Sequence, residues 1–458
     1  MKITEKFLSL PISLEAPDFL DQVQRSQRFR IPSDAVPIRF AVTKSHEGVC
    51  ECEVGILEGL GSNLAAESLF EFRHRGRARN HAFNAVFMVP TGIGAAIGGH
   101  AGDATPVVRM LAGICDKLIT HPNAVNASDL NEMTENSLYV EGSVLTRFLM
   151  GTVGLGPVRS NRVLVILDDH EDEIFVHAAV NAVSAARASF GLDCPKVIKM
   201  ECPVRLSAEY AGSGRAAGRV ENFAALCGIL ENECGTFDAV ALASVIDVPP
   251  EYHEAYFASG GEMVNPWGGV EALLTHGISS LFNVPSAHSP MLENRDIAYA
   301  DVGIVEPRLA AESVSMAFLH CILKGLHRSP AIVTDPLEMT DGATLSAKDV
   351  SCLVIPEGCL GLPTLAALRQ GIPVIAVREN ANLMQNDLSA LPWPKGQYFE
   401  VDNYLEAAGL MAAMRAGIDP AAVRRPLAPT MVEKVSGVDD STHDSAHENA
   451  GDRHEAVD

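Results

Sequence analysis

Between Thr91 and Asp103 the chain runs Thr-Gly-Ile-Gly-Ala-Ala-Ile-Gly-Gly-His-Ala-Gly-Asp, a loop with glycines at Gly92, Gly94, Gly98, Gly99 and Gly102. Glycine lets backbone amides approach an anion closely. A helix opened by Thr105 as N-cap and Pro106 in its first turn would add the positive end of its dipole. Such a loop suits a carboxylate or phosphate. His100 and Asp103 stand three residues apart inside it, and His121 and Asn123 follow the next apolar run in a His-Pro-Asn turn. An imidazole beside a carboxylate or amide that orients it can move protons. The plainer reading has Asp103 capping the helix and the histidines binding loop backbone. Glu141, at the end of Leu-Tyr-Val-Glu-Gly, is expected to line the same cleft.

Further candidates are spread along the chain. Gly212-Ser213-Gly214-Arg215, with Gly218 and Arg219, combines flexible donors with two guanidinium groups suited to an anion. Asp168-Asp169-His170 follows an apolar run, but Glu171 to Glu173 continue its charge, as at the acidic start of a helix. Asn265-Pro266-Trp267-Gly268-Gly269-Val270-Glu271 leads to His276, and the five-residue spacing of Glu271 and His276 does not match the shared metal face of H-E-x-x-H. His288 and Glu306 sit in polar stretches after apolar runs. Glu357, Gly358 and Cys359 join a run to a helix-like segment, where Cys359 would be either a nucleophile or a packed thiol.

The elements that must carry these groups alternate. Ala85–Val89, Lys117–Thr120, Val163–Leu167, Val197–Met200, Ala239–Ile246, Ser280–Val284, Val302–Val305, Leu353–Ile355 and Val374–Val377 read as strands. Between them Phe175–Phe190, Val220–Glu233 and Glu312–Leu326 read as helices. Alternation of this kind predicts an α/β fold: two Rossmann-like three-layer lobes with mostly parallel sheets and ligands at the carboxyl ends of strands. Ile38–Val42 and Val49–Ile56, around Ser45 to Gly48, read as an N-terminal β-hairpin arm. Cys50 and Cys52 fall on one face of its second strand, as structural thiols. The first 36 residues, with Arg25, Arg28 and Arg30, read as an irregular or helical arm. The expected segments are 1–82 (arm and hairpin), 83–157 (glycine-loop lobe), 158–430 (second lobe, after the joint Gly151–Pro157) and 431–458 (disordered acidic tail with His443, His447 and His454).

A net charge of −23 argues against a nucleic-acid partner or an anionic membrane surface. No apolar run approaches the roughly 20 residues of a membrane span. The ten cysteines form no C-x-x-C pair, and no signal peptide is read at the start, so a reduced cytoplasmic protein is expected. A small-molecule substrate is the expected partner, with homo-oligomerisation left open.

The runs TGIGAAIGGHAGDATP, CDKLITHPNAVNAS, LYVEG, NPWGGVEA and PEGCLGLPTLAALRQGIPVIAV resemble a bacterial, cyanobacterial and plant family known as a domain of unknown function, over Ala85 to Asn380. That resemblance implies a coherent folded unit and no particular activity or cofactor. PEGCLGLPTLAALRQGIPVIAVREN also resembles the strand-loop-helix-strand near the nucleotide site of two-lobed glycosyltransferases and sugar-nucleotide epimerases. The glycine spacing departs from G-x-G-x-x-G, and His121-Pro122-Asn123 stands where a ribose-binding acid belongs. The expected function is therefore an enzyme of lyase, isomerase or hydrolase type. His100 or His121 would move a proton on a small anionic metabolite held by the loop and by Arg215 or Arg219. A nucleotide- or NAD(P)-dependent transferase or oxidoreductase, and a non-catalytic ligand or metal-binding protein, are the alternatives.

Overall fold

The structure, a computed structural model, describes residues 1–433 apart from 29–30, 33, 62–63, 65, 77–80, 195 and 315–317, and omits the side chains of 27–28. The acidic tail from residue 434, with His443, His447 and His454, lies outside the described residues, as do Arg30 and the side chain of Arg28.

Short apolar runs of β-branched residues, covered on both faces, build a six-stranded all-parallel sheet. Its order is Tyr398–Val401, Val374–Val377, Val350–Pro356, Asn84–Phe87, Lys117–Thr120, Ser137–Tyr139. Every residue of Asn84–Phe87 is buried, as a central parallel strand requires. A second sheet has a parallel part ordered Val197–Lys199, Val163–Leu167, Ala239–Asp247, Ser286–Met291. The end of Ala239–Asp247 also pairs with Leu206 and Ser207, which extends this sheet into antiparallel strands Arg205–Tyr210, Ala216–Glu221, Lys2–Leu10, Val49–Glu58 and Ala35–His46. The fold is therefore mixed α/β with large, mostly parallel sheets.

Alternation along Ala239–Asp247 divides the interior. Ala239, Ala241 and Ala243 join the core that runs through the six-stranded sheet. Val240, Leu242 and Ile246 join a second core under helix Gly268–Phe282, with Leu273, Leu274 and Ile278. The chain passes between the sheets three times: 2–58 and 163–291 build the ten-stranded sheet, 84–139 and most of 350–401 the six-stranded one. The stretch 158–430, read from its alternation as one lobe, thus supplies strands to both. Leu360 and Gly361 stitch the two together by pairing with Val42 and Ala41.

The hairpin Ala35–His46/Val49–Glu58 turns through Glu47 and Gly48, both with positive φ, the geometry that matches strand twist. The arm before it is more regular than its composition suggests. Lys2–Leu10 is a strand paired along its whole length with Val49–Glu58, and Phe19–Arg28 is a helix. Ser280–Val284 is the end of helix Gly268–Phe282 and the turn after it, not a strand. Its apolar run is one helical face, and Asn283 stops the helix in the left-handed region so that the strand starts at Ser286. Val302–Val305 forms no strand, and Ile304 stands fully exposed. Among the described residues no helix is long and apolar enough to cross a membrane.

Candidate active site between the two parallel sheets

The carboxyl ends of Asn84–Phe87, Lys117–Thr120 and Ser137–Tyr139 face the edge strand Ser286–Met291 and the end of Ala239–Asp247 across a cavity of about 190 Å³. Helix Gly268–Phe282 closes one side. Loops leaving strand ends carry the polar groups, as the topology of parallel sheets dictates.

Glu141 caps helix Gly142–Leu149. Its Oε2 accepts from the amides of Ser143 at 3.0 Å and Val144 at 3.2 Å, while Oε1 accepts from Nδ1 of His276 and from Thr275 Oγ1. Burial pushes this carboxyl up, but His276, Ser143 and Val144 outweigh it and hold it below the usual carboxylate range. Glu141 is therefore an anion, and the Nδ1 of His276 carries the proton between them. Nε2 of His276 has no partner among the described residues, and the ring lines the cavity. The absence of a side chain at Gly142 leaves room for it, since a β-carbon there would stand 3.0 Å from Cε1 of His276.

His121 presents the opposite face of the same chemistry. Its Nε2 accepts the backbone N–H of Val89 at 3.0 Å, so the ring proton sits on Nδ1. The residue is 3% exposed, and burial pushes its pKa down to about 4, leaving a neutral ring at neutral pH. One wall thus offers an imidazole acceptor at His276 and an imidazole N–H donor at His121.

His100 has both nitrogens engaged. Nε2 donates to the Gly261 carbonyl at 3.3 Å, and Nδ1 lies 2.7 Å from the buried Tyr256 hydroxyl, whose one proton is shared between Nδ1 and Glu312. Beside it, Oε1 of Glu312 receives the Ala101 amide at 2.8 Å and Asn265 Nδ2 at 3.1 Å. Burial raises Glu312 to about 7; bonds from Tyr256 and Ala101 oppose this, and the charges of Glu271 and Asp103 add to it. The glycine loop therefore already holds an anion-forming group of its own. Two further amides of the loop are taken, Ala96 by the Ala381 carbonyl at 2.9 Å and Ile97 by Asn380 Oδ1 at 2.8 Å.

His288 is held at Nε2 by Ser244 Oγ at 2.8 Å and at Nδ1 by Glu271 Oε1 at 2.9 Å. This is the connectivity of a serine hydrolase triad. Ser244, however, is 0% exposed and does not line the cavity, so its hydroxyl has no path to a substrate and anchors the ring instead.

Of the residues singled out in the sequence, Thr91, Gly92, Gly99, His100, His121, Asn123, Glu141 and His288 come together at the cavity. Asn123 spends its amide on tying Val89 to Gly98, at 2.8 and 3.0 Å. Gly94, Gly98 and Gly102 lie outside the wall. Gly92 (φ +77°) is needed because a β-carbon would meet the Ala216 carbonyl at 2.7 Å, and Gly102 (φ +72°) because one would collide with Ala127. Asp103 also lies behind the wall. It caps nothing, Ala104 being the N-cap, and both its oxygens are buried, with the backbone N–H groups of Gly98 and His100 holding its pKa down against that burial. Burial raises it to about 7.

Arg215 is nowhere near solvent. It is 0% exposed, bound to Glu53 and, at 2.8 Å, to Glu5, in a network that Arg39 extends to the Thr91 carbonyl. Its role here is to brace the loop from behind. Arg219 pairs with Glu209 at the surface, and Glu306 with Arg308 at 3.2 Å. Glu357 and Gly358 are cut off by residues 380–386. Asn382 donates to the Glu357 carbonyl at 2.8 Å, Leu383 to the Ile93 carbonyl at 2.9 Å, and Met384 packs on Gly358. That segment fills the crevice where the strand order reverses. Cys359 is buried and its thiol is pushed up, which makes it a packed thiol and not a nucleophile. Asp168 bonds the Val204 amide at 3.2 Å, and His170 bonds Leu292 and Asp172. Among the described residues, no group of three or more His, Cys, Asp or Glu is placed to hold a metal ion.

The wall also holds groups that sequence spacing does not mark as site residues, among them His276, Glu271 and Glu312. The spacing of Glu271 and His276 fits no helical metal motif because each binds a different partner from another element, His288 and Glu141.

Residues 84–424 match the model of a family described as "Protein of unknown function (DUF3326)". A relative from Synechococcus sp., described as an uncharacterized lipoprotein, is 34% identical over 350 residues, which covers 75% of this chain and 93% of the relative. No solved structure matches. The matched span includes every residue that lines the cavity.

Proposed function

The chain belongs to the DUF3326 family, and we propose that its cavity is the active site of an acid–base enzyme of isomerase or lyase type. The observation that carries this is the pair of imidazoles with opposite, fixed proton positions, His276 with Nε2 open and His121 with Nδ1–H open. Such a pair suits removal of a proton from carbon beside a carbonyl. His276 Nε2 takes the proton, and the C–H electron pair moves toward the carbonyl, whose oxygen accepts a hydrogen bond from His121. A neutral imidazole can polarise a carbonyl without giving up its proton. Return of the proton to another carbon completes an isomerisation, and expulsion of a β-substituent completes an elimination. Glu141 orients and balances His276 throughout. Taking the proton instead from a water that attacks the carbonyl carbon of an ester or amide, with expulsion of its alcohol or amine, would make the same base hydrolytic.

The anionic substrate expected from the glycine loop finds no support in the wall, which among the described residues has no Lys or Arg. A nucleotide cofactor is weighed down by the same fact, by Glu312 standing on the Ala101 amide, and by a volume below the roughly 300–1,000 Å³ of drug-sized ligand pockets. Cytoplasmic location belongs to this proposal and is supported by ten free thiols.

The test is hydrogen–deuterium exchange by NMR, with pooled small ketones, aldehydes and 2-oxo acids in D₂O. Exchange at carbon next to the carbonyl should occur with wild type. It should drop by about 10²–10⁴ in His276→Asn, which can still donate to Glu141 but has no Nε2. A compound that binds without exchange in wild type would favour the non-catalytic alternative. Exchange that survives in His276→Asn would overturn the assignment of the base.

A further inference from the structure

Resting on that assignment of the cavity, we propose that the substrate is a small organic cation, a carbonyl compound carrying an ammonium group. The wall contains Glu141, Glu271, Glu293 and Glu312 and, among the described residues, no Lys or Arg. Glu141 and Glu271 are each met by an imidazole. Glu312 is not. Its described partners are an amide N–H, a carboxamide and a phenol, all neutral.

A carboxylate held by neutral donors in a buried setting is costly to ionise, and an arriving cation removes that cost. Asp103 adds negative potential from behind the wall. A substrate carboxylate or phosphate would meet the same field with the wrong sign.

A second observation is independent of charge. Next to Glu312, Tyr256 stands edge-on to Trp267, with centroids 5.1 Å apart, and to Phe257 at 5.4 Å, while His253 meets Trp267 at 5.8 Å. Trp267, Phe257 and His253 line the cavity. Aromatic rings beside a carboxylate are the chemistry that recognises ammonium groups, by cation–π attraction together with ion pairing. The ammonium end would lie between Glu312 and Trp267, and the carbonyl end toward His121 and His276.

The test uses three probes of one carbon skeleton, n-butylammonium, n-butanol and butyrate, titrated calorimetrically into the full-length protein at pH 8. n-Butylammonium should bind at least tenfold more tightly than butyrate. Glu312→Gln, which keeps an acceptor for the Ala101 amide, should cut that preference about tenfold and leave n-butanol unchanged. Where that variant fails to fold, Trp267→Leu, which removes the ring on the other side of the ammonium position, serves the same purpose. Equal or tighter binding of butyrate overturns the inference, as does an ammonium preference that survives both substitutions, or no binding by any probe. Butyrate binding best while His276-dependent exchange persists would sink the charge assignment and leave the acid–base reading standing.

Discussion

His121 offers a sharp test because the same geometry that makes it a donor makes it a liability in acid. Its ring is held neutral by burial, at about 4 against an ordinary value of 6.5. Between those values the unfolded chain binds a proton that the folded chain refuses, so stability falls as the pH drops through that window. The separation, 6.5 less 4, at about 1.36 kcal/mol per pH unit, corresponds to roughly 3 kcal/mol lost by pH 4. His121→Gln abolishes this loss while keeping an acceptor for the Val89 amide. His121→Ala also abolishes it, but strands that buried amide and costs about 1–3 kcal/mol at every pH. Urea denaturation of wild type and both variants at half-unit steps from pH 7.5 to 4.5 reads both effects. The wild-type-minus-Gln difference should be flat above pH 7 and slope steadily below 6.5, and the Ala curve should run parallel to Gln but lower. Wild type and His121→Gln with the same pH slope would mean that the ring is not buried neutral, and the donor role would fall with it.

Glu312 bends the profile the other way. Its folded pKa is raised from 4.5 to about 7, so stability falls as pH rises from about 4.5 through 7. Glu312→Gln should flatten that fall, and in the same urea series a variant as pH-sensitive as wild type between pH 5 and 7 would refute the assignment. Arg215→Met leaves Glu5 and Glu53 buried without their shared guanidinium and should cost about 3–5 kcal/mol, seen as an early denaturation midpoint. Unchanged stability with lost ligand binding would return Arg215 to the anion-holding role that its glycine-flanked sequence suggests.

The sequence showed the fold class and much of the site's floor because local signals and tertiary demands agree there. Lys117–Thr120 has the ends expected of it, and His121, Glu141 and the glycine loop follow strand ends as parallel topology requires. Two kinds of feature were hidden. The first is sheet membership. The β-branched run Val350–Pro356 declares a buried strand, but nothing local says that its neighbour is Asn84–Phe87. The second is pairing across elements. His276 gains its meaning from Glu141, 135 positions earlier, and Glu312 from Ala101, 211 positions earlier. Arg215 misled because a glycine-rich turn with an arginine looks the same whether the guanidinium meets a ligand or two buried glutamates.

The pairing of Asn84–Phe87 with Val350–Pro356 also has a consequence for biosynthesis. The central strand of the six-stranded sheet leaves the ribosome about 260 residues before the neighbour that covers one of its edges. At roughly 5–20 residues per second that delay is tens of seconds. During it, the nascent chain presents a short edge of backbone N–H and C=O groups that have nothing to pair with. The first 160 residues should therefore behave as a client of holding chaperones, and fragments ending before Val350 should aggregate when expressed alone. The cavity can be completed only once Ile322, the last residue of its wall, has been made.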